Sequence, residues 1–221
     1  MGKLIVFEGT DGSGKSTQFQ RLCARLEEEG IPFQKLVFPQ YSEPSSALIR
    51  MYLGGEFGSR PTDVNAYAAS AFYAVDRYAS WKKVWGEYYE KGGLILADRY
   101  VTSNAVHQAS KVPEEEREGF FRWLEEFECD KLGLPKADLV LYMDMPTERA
   151  VELLRSRENA TQTHADIHEV DTDYLKTCRS TALAAAEFYG WQRVSCVDGE
   201  GTLRPMEEIG DEIWNRVRQE I

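Results

Sequence analysis

The apolar positions of this chain follow two rhythms. FQKLVFP (33–39) predicts a strand, and KLIVFEG (3–9), LILAD (94–98) and DLVLYMD (138–144) are short, nearly unbroken apolar runs that end in Gly or Asp. Such a run predicts a strand buried on both faces, as in a parallel sheet. QRVSCVD (192–198) alternates less cleanly and ends the same way. Between the runs the spacing is helical. Phe19, Leu22, Cys23 and Leu26 stand at i, i+3, i+4 and i+7 within 15–29, and Gly30 stops that segment. A long helical stretch over 63–91 and a last helix from about Met206 complete the alternation. Pro113 followed by Glu114, Glu115 and Glu116 marks a helix start, the carboxylates favouring the N-terminal end of the dipole. Phe120, Phe121, Trp123, Leu124 and Phe127 on that helix read as core or as a subunit contact.

Strands alternating with helices predict an α/β protein, a three-layer fold with a mostly parallel five-stranded sheet flanked by helices. One domain over 1–221 accounts for the length. Ligands of such sheets sit at the carboxyl ends of the strands, and Glu8, Asp98, Asp144 and Asp198 all fall at or just after a predicted strand end. RSRENATQTHADIHEVD (155–171) breaks the pattern, being polar and aperiodic between two helices, and predicts a loop or lid. His164 and His168 with Asp166 and Glu169 have the spacing of a zinc site, but the loop-like flanks favour a solvated lid.

With 43% hydrophobic and 29% charged residues the composition is that of a soluble globular protein. A net charge of −11 argues against nucleic acid or an anionic membrane as partner, while leaving room for anionic small molecules in a locally positive pocket. Four well-separated cysteines without a CxxC pair fit a reducing compartment. The first apolar run is too short for a signal peptide or a membrane span, and Val6 stands where a myristoylation start needs Ser or Thr, so a cytoplasmic protein is expected.

GTDGSGKS (9–16) matches G-x-x-x-x-G-K-[ST], with a predicted strand before it and an amphipathic helix after it. Gly9, Gly12 and Gly14 let the backbone turn its N–H groups toward phosphate, and Ser13 and Thr17 complete an ATP-binding set. Lys15 supplies a point charge and Ser16 a hydroxyl ligand for Mg²⁺. No guanine-reading N-K-x-D follows a later strand, which leaves small phosphotransferases as the class.

DRYVTSNAVHQ (98–108), FYAVDR (72–77), the Phe38-Pro39 pair, LYMDMPTERA (141–150) and the acidic P-loop residue together resemble the thymidylate kinase family, along nearly the whole chain. The resemblance implies transfer of the γ-phosphoryl of ATP to dTMP, in a homodimer. It gives Arg99 the acceptor phosphate and the transferring phosphoryl, a structural salt bridge being the other reading. Asp98 is a candidate Mg²⁺ ligand beside Ser16, or a cap for the segment that follows. Tyr73 and Arg77 share a helix face at i and i+4, a ring to stack on a pyrimidine and a cation for its carbonyl; Tyr73 also reads as a core aromatic. Asn104 is implied at the base edge, with Gln108 four residues on, Phe38 as an apolar wall and Tyr41 near sugar and phosphate. Some relatives carry an arginine in the segment occupied here by FPQY, and Arg50 is the candidate to compensate. Asp11 is implied as a partner of the 3′-hydroxyl, against the reading of a solvent-facing turn residue.

Members of this family take a catalytic arginine from the P-loop or from the lid. Position 12 here is Gly, so the resemblance places the charge in the lid, on Arg157 with Arg155 in support and Arg149 further back. DIHE (166–169) departs from the family's usual D-R-x-E. Two competing readings remain at this level. A deoxynucleoside kinase would need a general base such as Glu8 or Asp98; a catalytically weak nucleotide-binding regulator is kept open by the missing lid arginine. Thymine and uracil differ by one methyl, worth about 1–3 kcal/mol, so dUMP is expected as a poorer substrate.

Overall fold

Five strands form one sheet in the order β2-β3-β1-β4-β5, with every pairing parallel. They are β1 (Lys3–Glu8), β2 (Phe33–Val37), β3 (Leu94–Asp98), β4 (Leu139–Asp144) and β5 (Gln192–Ser195). The computed structural model describes residues 1–161 and 172–221, with backbone alone for 156–161 and 172. The helices are α1 (Lys15–Glu28), α2 (Ala47–Leu53), α3 (Ala66–Ser80), α4 (Gly86–Glu90), α5 (Arg117–Glu125), α6 (Thr147–Thr161), α7 (Thr172–Tyr189) and α8 (Met206–Val217). A π-helical turn, Trp81–Trp85, joins α3 to α4, so the long helical stretch expected over 63–91 is present with one widened turn.

The unbroken apolar character of β1 has a direct cause. Ile5 and Phe7 face one layer, where α1 brings Phe19, Leu22 and Leu26 and α8 brings Ile213 and Trp214. Leu4 and Val6 face the other, against Trp85, Tyr89 and Tyr100. All four β1 residues are fully buried. A smaller cluster packs Phe120, Phe121 and Leu124 of α5 against Ala105, Ala109 and Ala185, making these residues core.

Register sets the site. Phe7 and Val37 both lie opposite Asp98, so the residues that follow, Glu8, Phe38 and Arg99, emerge side by side at the carboxyl edge. The other two edge carboxylates do different work. Asp144 ties β4 to α7 and β5 through Arg179 at 2.9 Å and Arg193 at 2.5 Å. Strand β5 ends at Ser195, and Asp198 closes a turn by accepting from the backbone of Glu200 and Thr202, both at 2.9 Å.

Helix α6 continues to Thr161, into the first part of the segment read as a lid. The sequence there holds no Gly or Pro and includes good helix formers such as Arg155, Arg157 and Ala160. Residues 162–171, with His164, Asp166, His168 and Glu169, lie outside the described residues, and so does the side chain of Arg157.

Candidate active site

The loop after β1 is held by its glycines and a tight turn in which the Ser13 N–H donates to the Thr10 carbonyl at 3.1 Å. Gly12 and Gly14 have φ of 78° and 76°, and a Cβ at Gly12 would lie 2.3 Å from the carbonyl oxygen of Ala150 in α6. Only glycine fits there. Gly14 is the N-cap of α1, so the first free N–H groups of that helix open onto a cavity of about 280 Å³. Residues 10–17 line it together with Leu153 and Leu154 of α6, while Gly9 lies at the strand end behind it.

Lys15 is buried and its Nζ makes a close ion pair with Asp98. Burial lowers the ammonium's pKa, the nearby Arg99 lowers it further, and Asp98 only partly restores it. The Ser16 hydroxyl lies 3.4 Å from the other Asp98 oxygen. The charge on Asp98 thus faces the P-loop, not the segment it could have capped.

A second cavity, about 220 Å³, lies on the far side of Asp11. Asp11, Phe38, Tyr41, Tyr73, Arg77, Arg99, Asn104 and Gln108 all line it, so the eight residues implied for the acceptor stand together. Tyr73 is half-buried in that wall, while its neighbour Phe72 packs away from it on Tyr52 and Phe57. The Gln108 Oε1 is buried with no hydrogen-bond partner among the described residues. Arg50 does not reach the cavity lining; its Nη1 stitches the loop by donating to the carbonyls of Tyr41 at 2.7 Å and Glu43 at 3.1 Å. A short helix starting just after that loop points the guanidinium back at backbone oxygens, so Arg50 is engaged on the loop and not on the cavity.

Arg99 is the centre of the site's electrostatics. Its φ of 69° is rare for a residue with a side chain and turns the guanidinium along the sheet edge. Nη2 donates to Asp11 at 2.6 Å, and Nη1 lies 3.4 Å from Glu8 and 3.3 Å from the Ser103 hydroxyl. Nη1 also meets His107 Nε2 at 2.9 Å, and since arginine cannot accept, that imidazole nitrogen must. Burial opposes the charge on Arg99, but Asp11, Glu8 and Asp98 outweigh it and raise its pKa. Glu8 is fully buried and anchors the arrangement by accepting from Thr102 and Ser103, both at 2.7 Å, and from the Gly9 N–H at 3.0 Å.

Several contributors escaped the sequence reading. Asp76 fixes the loop after Phe38 by accepting from the Gln40 N–H at 2.8 Å and the Ser45 hydroxyl at 2.6 Å. Ser103 and His107 follow Arg99 at successive helical i+4 steps, a spacing that could have disclosed them. Glu128 grips Arg77 from beneath the cavity, with nothing in its local sequence to distinguish it from a surface glutamate. Of the expected lid cations, Arg155 is exposed on α6 and Arg149 pairs with Glu152 at 2.9 Å on the surface.

A P-loop cavity and a second cavity, separated by one carboxylate and overlooked by a half-buried arginine, define a nucleotide-dependent phosphotransferase on a P-loop α/β fold. A family model described as thymidylate kinase matches residues 7–208. The thymidylate kinase of Mycobacterium tuberculosis is 31% identical over 192 residues, covering 85% of this chain and 87% of that one. The Caenorhabditis elegans thymidylate kinase is 31% identical over 229 residues, covering 99% and 93%. A solved structure of thymidylate kinase from Candida albicans superposes with a TM-score of 0.72 at 20% identity, covering 99% of this chain and 92% of that one, and shows the same fold. The chain belongs to the thymidylate kinase family and is a kinase of the nucleotide-phosphorylating type.

Proposed function

We propose that this protein transfers the γ-phosphoryl group of ATP to the 5′-phosphate of dTMP, releasing ADP and dTDP. The observation that carries the reading is Asp11, which lines both cavities and holds Arg99 in the wall of the second. Phosphoryl transfer asks for positioning and charge neutralisation more than for covalent help. Lys15 and the α1 N-terminus face the donor phosphates; Arg99 faces the acceptor phosphate and the group in transit. Phosphate oxygens would compete with Asp98 for the Lys15 ammonium. Asp11 is suited to accept from the 3′-hydroxyl while it orients Arg99. Phe38 and Tyr73 offer apolar walls to the pyrimidine, with Arg77, Asn104 and Gln108 at its edge and Tyr41 toward the sugar and phosphate.

The site's donor set fits Mg²⁺. Ser16 and Asp98 present hard oxygen ligands beside the P-loop, and among the described residues no three His, Cys, Asp or Glu side chains cluster into an all-protein cage. Magnesium is held in just that way, by one or two protein oxygens with water and nucleotide phosphates. Bound there it would neutralise charge on the β- and γ-phosphates.

We assign 1–221 to one domain with a lid over about 155–171, whose Arg157 and Arg155 complete the charge on the transferring group. A homodimer is supported by Tyr67, Val75 and Tyr78, exposed apolar residues on the outer face of α3. No described helix is long and apolar enough to cross a membrane, and all four cysteines are free, which suits a reducing cytoplasm.

The test is ADP release with a panel of acceptors, dTMP, dUMP, UMP, dCMP, dGMP and thymidine. dTMP is expected as the best acceptor and dUMP as a poorer one. Turnover of thymidine alone would make the protein a nucleoside kinase, and binding of both nucleotides without dTDP would make it a regulator. The engagement of Glu8 with Arg99, Thr102, Ser103 and Gly9 leaves it poorly placed as the base a nucleoside kinase needs.

A further inference from the structure

Beneath the acceptor cavity one buried carboxylate holds two of the cavity's polar residues. Glu128, in the π-helical turn Glu126–Lys131 after α5, is fully buried. Its Oε2 accepts from Arg77 Nε at 2.6 Å. Its Oε1 accepts from Arg77 Nη2 at 2.6 Å and from Asn104 Nδ2 at 2.9 Å. Arg77 comes from α3 and Asn104 from the turn after β3, so Glu128 joins three separate elements.

The amide of Asn104 is thereby polarised in one direction. Both Nδ2 protons are taken, one by Glu128 and one by the Ser70 carbonyl at 3.2 Å. A flipped amide would set Oδ1 against a carboxylate and a carbonyl, two acceptors it cannot pair with. Oδ1 is therefore the amide atom left for a ligand in the cavity that Asn104 lines. Arg77 turns Nε and Nη2 to Glu128, which leaves Nη1 as its donor without a partner among the described residues. Asn104 and Arg77 so offer the cavity one acceptor and one donor of fixed sense. A 4-oxopyrimidine has an N3–H donor beside an O4 acceptor. A 4-aminopyrimidine reverses both, with an N3 acceptor and an amino donor, and meets like against like.

We infer that Glu128 is the specificity-determining positioning residue of the acceptor site. It touches no substrate and sets the hydrogen-bond sense of the two residues that do, selecting 4-oxo over 4-amino pyrimidine monophosphates. The inference rests on the dTMP kinase reading and adds what enforces the base choice. The neutral isostere in Glu128→Gln can donate as well as accept, so it relieves one of the two clashes that fix the sense of the Asn104 amide. A buried acceptor–donor pattern of this kind discriminates far more strongly than packing does.

The experiment measures kcat/KM for dTMP and dCMP with the unaltered enzyme, Glu128→Gln and Glu128→Asp. For Glu128→Gln the dTMP:dCMP ratio is expected to fall by about 10-fold or more, with the KM for ATP unchanged. Glu128→Asp keeps the acceptor-only carboxylate and is expected to retain the preference. A ratio that stays put in Glu128→Gln while activity on both substrates drops together would overturn the inference and leave Glu128 a structural residue. A readout that needs no variant guards against misfolding: N3-methyl-dTMP, which lacks the N3–H donor, is expected to bind the unaltered protein at least about 10-fold more weakly than dTMP. Equal binding would also overturn it. Failure of the unaltered enzyme to use dTMP at all would overturn the functional reading and this one together; use of dTMP with an unmoved ratio overturns this one alone.

Discussion

The guanidinium of Arg99 and the carboxylate of Asp11 meet at 2.6 Å on the border between the two cavities. A carboxylate inside a loop built for anions is otherwise a repulsive choice, and this pairing turns it to use. Asp11 offsets part of the positive charge on Arg99 while holding the fork at the acceptor side. Asp11→Asn keeps the size and removes the charge. The expected result is a drop of about 10–100-fold in kcat/KM for dTMP, with the KM for ATP within about twofold of the parent. Steady-state kinetics with each substrate varied in turn decide it. An unchanged acceptor profile would reduce Asp11 to a turn residue.

Lys15 lies on the other side. It is the cation buried at the head of α1, beside the P-loop cavity and paired with Asp98. Lys15→Ala is expected to lower kcat by about 10²–10³-fold, the scale for removing a preorganised charge from a developing one. Because Asp98 then loses its partner, the comparison belongs at a temperature where circular dichroism shows the variant folded. Normal turnover there would reject the phosphate cradle as the donor site.

On the proposed reading, the lid is expected to supply the third charge. The P-loop has no room for an arginine at position 12, where φ is 78° and a Cβ would collide with the Ala150 carbonyl. Arg157→Ala is expected to reduce kcat by about 10–10³-fold with little change in either KM, and Arg155→Ala by less. Equal activity of the double variant and the parent would show that the transferring group is neutralised without the lid.

What the sequence disclosed and what it hid follow from the range of the interactions. Strands β1, β3 and β4 were legible because burial on both faces leaves an unbroken apolar run, and Asp98 and Arg99 were legible because they stand where such a run stops. The P-loop writes its geometry into neighbouring residues. Asp198 misled because β5 stops at Ser195, leaving the carboxylate to a turn. Glu128 was hidden because its partners lie 51 and 24 residues away, with no periodicity linking them. The task of Arg50 was equally closed to inspection, since it depends on where the loop carbonyls point.

Lys111 carries a prediction of a different kind, about stability and not turnover. Its Nζ donates to the Tyr52 hydroxyl at 2.7 Å and the Val64 carbonyl at 3.2 Å, tying α2 and the segment that follows it to the turn before α5. Burial lowers its pKa from the ordinary 10.5 to about 7. The folded protein therefore releases this proton near pH 7, while the unfolded chain keeps it until about 10.5. Between those values the unfolded state binds more protons, so stability rises with pH, by up to about 1.4 kcal/mol per pH unit for one group. Burial raises the thiols of Cys129, Cys178 and Cys196 from 9.0 to about 12, which acts in the opposite sense once the unfolded thiols ionise. The window for Lys111 is thus about pH 7 to 9. Urea unfolding of the parent and Lys111→Met at pH 7, 8 and 9 isolates the group, because Lys15 and the thiols are common to both. The parent is expected to gain about 2 kcal/mol relative to the variant across that window. Parallel curves would mean that Lys111 stays charged in the folded protein, held as an ammonium by Tyr52 and the Val64 carbonyl.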